Sequence, residues 1–156
     1  MRILIVHNSY QVRGGEDEVC DAEQRLLQSH GHQVDIYKEH NDRLSDFNSI
    51  QSASNTIWSQ RTYQRVRHRL MQTAYDVVHV HNVLPLISPS VYYAAKSQGI
   101  PVVQTLHNYR LLCPNALFFR QGKVCEDCLG ETVPLAGVYH GCYRNSRAAT
   151  GVIAAM

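Results

Sequence analysis

Residues 1–39 read "MRILIVHNSYQVRGGEDEVCDAEQRLLQSHGHQVDIYKE", and this stretch decides the fold. Just after Arg2 comes a continuous apolar run with β-branched residues, "ILIV". That composition suits a strand covered on both faces, as in a parallel sheet. A polar turn follows, with Gly14 and Gly15 adjacent. The next segment, "DEVCDAEQRLLQSHG", has helical spacing, with Val19, Ala22, Leu26 and Leu27 on one stripe and Gly31 as the stop signal. "HQVDIYKE" alternates and reads as a second strand. Such a β-α-β crossover joins parallel strands and is right-handed.

Outward from this unit the alternation continues. "NDRLSDFNSIQSASN" is polar and reads as part loop, part short helix. "TIWSQRTYQRVRHRLMQTA" is helical, with Tyr63, Val66, Leu70 and Ala74 on one face. "YDVVHVHN" is a strand, "PLISPSVYYAAKSQGI" a helix ending at Gly99, and "PVVQTLHN" a further strand. A cysteine-rich segment precedes a last helix start, "SRAATGVIAAM". Strands alternating with helices predict a doubly wound α/β domain with a parallel sheet. The size of 156 residues fits one domain with a core of its own. A net charge of +2 is too small to argue for nucleic acid, and no aromatics interleave the arginines. The N-terminal apolar run is too short for a signal peptide, and no run approaches a membrane span. The chain is therefore expected in the reducing cytoplasm, where clustered cysteines favour metal or redox chemistry over structural disulfides.

Four cysteines give the strongest local signal. Cys113, Cys125, Cys128 and Cys142 follow the pattern C-x(11)-C-x(2)-C-x(13)-C. A C-x(2)-C turn presents two thiolates to one tetrahedral zinc, and the outer pair closes the loop. The segment 113–142 is then an insertion too small to order itself, stapled by a structural zinc. An iron–sulfur cluster and four unligated cysteines in a loop are the alternatives, and His140 could replace one thiolate. Cys20, alone on the first helix, reads as a core residue.

In open α/β sheets ligands bind beyond the carboxyl ends of the strands. The residues there are His7-Asn8, Gly14-Gly15-Glu16, His81-Asn82 and His107-Asn108. Adjacent glycines before a helix let a backbone approach a phosphate, although neither G-x-G-x-x-G nor a P-loop is present. His79 and His81 share one strand face and read as a buried, hydrogen-bonded histidine beside a rim one, with a metal pair as the alternative. Arg61, Arg65, His68 and Arg69 line one helix stripe, a solvated face or a contact for anionic membrane.

Taken together, these segments resemble the retaining glycosyltransferases with the GT-B fold, group 1 or family 4-like. The matching features are the strand and loop with G-G before a helix ending near "GHQV", the "DVVHVHN" segment, and "PVVQTLHNYRLLCPN" with its cysteine knuckle. The resemblance implies a Rossmann-like, acceptor-side N-terminal domain. It implies transfer of a sugar from a nucleotide-diphosphate donor to a glycan or lipid-linked acceptor, without a catalytic metal. Gly14 and Gly15 would approach the donor diphosphate, His107 would face the transferred sugar, and His81, Asn82, Asn108 and Glu16 would border the acceptor. The family's C-terminal nucleotide-sugar domain is not among these residues, so the 156-residue fragment is expected to be inactive alone. The other class of function is a stand-alone, zinc-stabilised domain that binds a sugar or a protein.

Overall fold

A computed structural model describes all residues from Met1 to Met156. The chain forms two compact units, Met1–Thr105 and Leu106–Met156. No helix is long and apolar enough to cross a membrane.

The first unit is an α/β layer structure of the Rossmann-like kind. Its strands are β1 (Arg2–Ser9), β2 (Gln33–His40), β3 (Val77–Val80) and β4 (Val102–Gln104). They form one parallel sheet in the order β2-β1-β3-β4. Its helices are α1 (Gly15–Ser29), α2 (Ser49–Ile57), α3 (Gln60–Gln72) and α4 (Ser90–Lys96), with a 3-10 turn at Asn41–Asp46.

Strand order and handedness together assign each helix to a face. The chain moves one way from β1 to β2, then the other way to β3 and β4. Right-handed crossovers therefore put α1 on one face and α3 and α4 on the other. The apolar run of β1 serves both layers, because successive side chains alternate across a strand. Ile3 and Ile5 pack with Cys20 and Leu27 of α1. Leu4 and Val6 pack with Val66 and Leu70 of α3 and with Val91, Ala94 and Ala95 of α4. Every residue from Ile3 to Ser9 is buried, which is why the run lacks a polar alternation.

Two helix stripes differ from the sequence expectation. On α1, Val19 and Leu26 are exposed, and the inward stripe is Asp17, Cys20 and Leu27. Counting only apolar residues misplaces the face, because a carboxylate holds one of its positions. On α3 the buried positions are Thr62, Val66 and Leu70, and the helix stops at Gln72, short of Ala74.

The second unit contains a hairpin of β5 (Phe119–Arg120) and β6 (Lys123–Val124), followed by α5 (Leu135–His140) and α6 (Arg147–Ala154). The hairpin turn places Gln121 and Gly122 at φ values of 52° and 80°. Two successive positive φ angles define the turn whose twist suits a two-residue hairpin, and glycine takes the second without strain. Ser146 caps α6 through the backbone N–H of Ala149, so the helix starts one residue after the serine. The cysteine-rich segment lies wholly within this unit.

Candidate functional site

The order β2-β1-β3-β4 reverses direction between β1 and β3, the kind of switch point beside which open α/β sheets bind ligands. The loop after β1 carries Gly14 and Gly15 and opens α1. Asp17, the third helical residue, holds it. One carboxylate oxygen accepts the Gly14 N–H at 3.0 Å, and the other lies 2.9 Å from His7 Nε2. An ionised carboxylate can only accept, so His7 donates from Nε2 and keeps Nδ1 as a bare acceptor. That Nδ1 is buried and has no hydrogen-bond partner.

Burial pushes the His7 imidazole below its ordinary value, against the pull of Asp17. Burial also pushes the Asp17 carboxyl up, but the Gly14 N–H and the His7 bond outweigh it and the net shift is downward. Both directions describe a neutral imidazole donating to a carboxylate.

The first turn of α1 carries Glu16, Asp17 and Glu18, which suits the positive end of a helix dipole. Each has a partner, so none is a loose charge facing an incoming anion. Glu16 accepts from the Tyr10 hydroxyl at 2.9 Å, Asp17 faces His7, and Glu18 pairs with Arg13 at 2.5 Å. Arg13 also reaches Asp21 at 2.5 Å and so ties the loop to the flank of α1.

The glycines themselves are unconstrained. Gly14 has φ −125° and ψ −177°, an extended conformation open to any residue. A Cβ there would meet Tyr10 only at 3.9 Å, and one at Gly15 would meet nothing within 4 Å.

His7 and Asn8, expected at the rim, lie inside β1 and are fully buried. Asn8 is a joint between loops. Its Nδ2 donates to Asn41 at 2.7 Å, its Oδ1 accepts the Leu86 N–H at 3.0 Å, and its backbone N–H reaches the Asn82 carbonyl at 2.8 Å. Asn82 replies, donating from Nδ2 to the Asn8 carbonyl and accepting the Leu84 N–H, both at 3.0 Å. These two amides knit the ends of β1 and β3 together. His81 follows β3 and is buried, with Nε2 3.1 Å from Glu23 Oε2.

His107 and Asn108 belong to the second unit and are half-buried. The Asn108 side-chain oxygen accepts the Arg110 N–H at 3.1 Å. Of the basic helix stripe, Arg69 is not a free surface charge. It donates to the Ile36 carbonyl at 2.9 Å and to the Tyr75 hydroxyl at 3.0 Å.

In the second unit all four clustered cysteines line one cavity of about 20 Å³. All are free thiols. Burial raises the Cys128 and Cys142 thiols, and each is raised further by the neighbouring sulfurs. Gly137 of α5 approaches closely here, since a Cβ on it would stand 2.9 Å from Pro114 Cγ and 3.3 Å from Cys128 Sγ.

The Gly14-Gly15 helix start follows β1, on the side of the sheet where open parallel α/β domains bind ligands. Residues 14–124 match the family model for Glycosyltransferase Family 4, and the chain belongs to that family. The match begins at Gly14 and ends at the last residue of β6. No curated protein matches the chain. Two solved structures of the C-terminal domain of a hydrogenase from Pyrococcus furiosus match with a TM-score of 0.48 each and 20% and 19% identity. Each match covers 67% of this chain and 90% of the other, a likeness too slight to carry an argument.

Asp17 was missed in the sequence, although a carboxylate three residues beyond a helix-opening glycine is half of a capping box. Glu23 was also missed, and no local signal points to it.

Proposed function

We propose that this chain is the acceptor-side half of a two-domain, retaining GT-B glycosyltransferase. The enzyme would move a sugar from a nucleotide-diphosphate donor to a glycan or lipid-linked acceptor during polysaccharide or glycolipid assembly. The observation that carries this reading is the Gly14-Gly15 opening of α1. Neither glycine is required by its own dihedral angles or by its neighbours, so the bare backbone serves something outside the chain. The Gly14 N–H is held by Asp17, so the amides offered to a diphosphate would be those of Gly15 and Glu16 at the helix start. Asp17 and His7 fix the loop, so that its N–H groups are set before the donor arrives.

On this reading His107 faces the transferred sugar, and Glu16 and Asn108 border the acceptor. His81, with Nε2 3.1 Å from Glu23, and Asn82, through its bond to Asn8, shape the acceptor side. The chain's share of the reaction is position and electrostatics, and the departing diphosphate takes the acceptor proton. Most donor contacts would come from a C-terminal domain, and the 156 residues alone would not turn over. Arg61, Arg65, Arg67 and His68 are exposed along α3 and suit a peripheral contact with an anionic membrane at the cytoplasmic face.

The four cysteines fit a structural zinc, because four thiols around one cavity are the donor set of a closed tetrahedral site. Zinc there would fasten the loop before β5, the turn after β6 and the end of α5 to one point, and the transfer itself would need no divalent metal.

Titrating UDP and GDP into isotope-labelled protein tests the donor part. The amides of Gly14, Gly15 and Glu16 are expected to shift. Gly15→Ala should keep the melting temperature and lose the shifts. Shifts confined to residues away from the loop, or equal binding by the variant, would overturn the loop's role. Transferase turnover by the purified 156-residue chain would overturn its need for a second domain.

A further inference from the structure

We propose that Glu23, His79 and His81 form a binding site for a divalent transition-metal ion of the zinc class, separate from the cysteine cavity. Strand alternation sets it up. Val78 and Val80 face α3 and α4, so His79 and His81 both face α1. There α1 presents Glu23. A single carboxylate oxygen, Glu23 Oε2, lies 3.5 Å from His79 Nε2 and 3.1 Å from His81 Nε2. The three ligand atoms all lie within 4.8 Å of one another. The imidazole centroids are 4.5 Å apart with planes tilted by 35°, and both Nε2 atoms face the same carboxylate oxygen.

Bonds of about 2.0–2.1 Å in a tetrahedron set ligand atoms roughly 3.3 Å apart. The two carboxylate–imidazole separations bracket that edge, so an ion could enter with small side-chain movements. Two imidazoles and one carboxylate suit zinc, cobalt or nickel better than magnesium or calcium. Thr105 Oγ1, 2.9 Å from His79 Nε2 and 3.5 Å from Glu23 Oε2, stands where it could complete the shell or hold a water that does. Glu23 is one-third exposed, which gives the ion a way in, while His81 is sealed. A bound ion would cross-link α1 to the carboxyl end of β3.

The competing occupant is a proton shared between the imidazoles and the carboxylate. Cobalt titration followed by absorption separates this site from the thiols, because thiolate ligation adds an intense near-ultraviolet band and imidazole–carboxylate ligation does not. The protein is expected to bind one equivalent of cobalt without the thiolate band, with an equal uptake of zinc by elemental analysis. Glu23→Gln and His79→Gln should each lose that equivalent and keep the wild-type circular dichroism. Retention of the equivalent in both folded variants would overturn the site. So would a wild-type protein whose only bound cobalt shows the thiolate band, or one that binds none. His79→Gln is preferred to a change at His81, whose burial makes misfolding a competing explanation.

Discussion

Asp17→Ala tests the logic of the glycine loop most directly. The Asp17 side chain is 3% exposed and makes two hydrogen bonds, to the Gly14 N–H at 3.0 Å and to His7 Nε2 at 2.9 Å. A hydrogen bond to a charged group contributes about 1.5–3 kcal/mol. Losing both removes roughly 3–6 kcal/mol, and it strands a second nitrogen on an imidazole whose Nδ1 already has no partner. Against a total stability of about 5–15 kcal/mol, that is a large share. Asp17→Asn should cost less, about 1.5–3 kcal/mol, because the amide oxygen keeps one acceptor and the imidazole can change tautomer. Urea unfolding followed by circular dichroism reads both variants. The pH dependence has a defined sign. The folded His7 pKa lies below its ordinary 6.5, so this contribution is fully present above pH 6.5 and is lost as pH falls toward the folded value. Asp17 is also lowered, so its contribution holds above its ordinary 3.8 and goes as pH falls through the folded value. The wild type should therefore weaken in two acid steps, and Asp17→Ala should lack the lower one. A cost under about 1 kcal/mol for Asp17→Ala, smaller than a single charged bond, would refute the reasoning.

Further tests address other parts of the chain. Gly137→Ala forces a Cβ to 2.9 Å from Pro114 and 3.3 Å from Cys128, and should cost about 1–3 kcal/mol by overpacking, read by urea unfolding. Leu4→Ala removes a fully buried side chain between β1 and the α3–α4 layer, and should cost about 2–5 kcal/mol in urea unfolding. Cys20 is fully buried with its thiol pushed up to about 11, so it should resist a thiol reagent at pH 8 until denaturant is added. Asn8→Ala strands the Leu86 N–H and releases Asn41, and should cost roughly 2–4 kcal/mol, read by thermal melting.

Much of this fold was legible from local pattern. The run "ILIV" reads as a strand buried on both faces because it is short, β-branched and bounded by a polar turn, and Ile3 to Ser9 are all buried in β1. The first helix was legible as a helix but not in its facing. Val19 and Leu26 look like core residues, yet the face is set by Asp17 meeting His7, a pairing between elements that a single-helix pattern does not contain. The same holds for the sheet end. His7-Asn8 and His81-Asn82 read as similar rim dipeptides, but one pair is inside β1 and the other follows β3, because strand length is decided by the neighbours each strand finds. Glu23 could not be read at all, since its partners lie more than fifty residues away in sequence. The four cysteines, picked out by their spacing alone, are among the residues that line one cavity.

The position of β1 between β2 and β3 also orders events during synthesis. Its β2 neighbour emerges within the first forty residues, but β3 begins only at Val77. Until then Leu4 and Val6 face outward, because the residues that cover them, from Val66 onward, do not yet exist. The nascent chain must therefore carry a bare apolar strip on its first strand for the time taken to add about forty residues, roughly 2–8 s at 5–20 residues per second. A polypeptide stopped at residue 60 should bind a hydrophobic dye and aggregate, and one extended past α4 should do neither. Slow codons, or a chaperone that reads short apolar strands, would act within that interval.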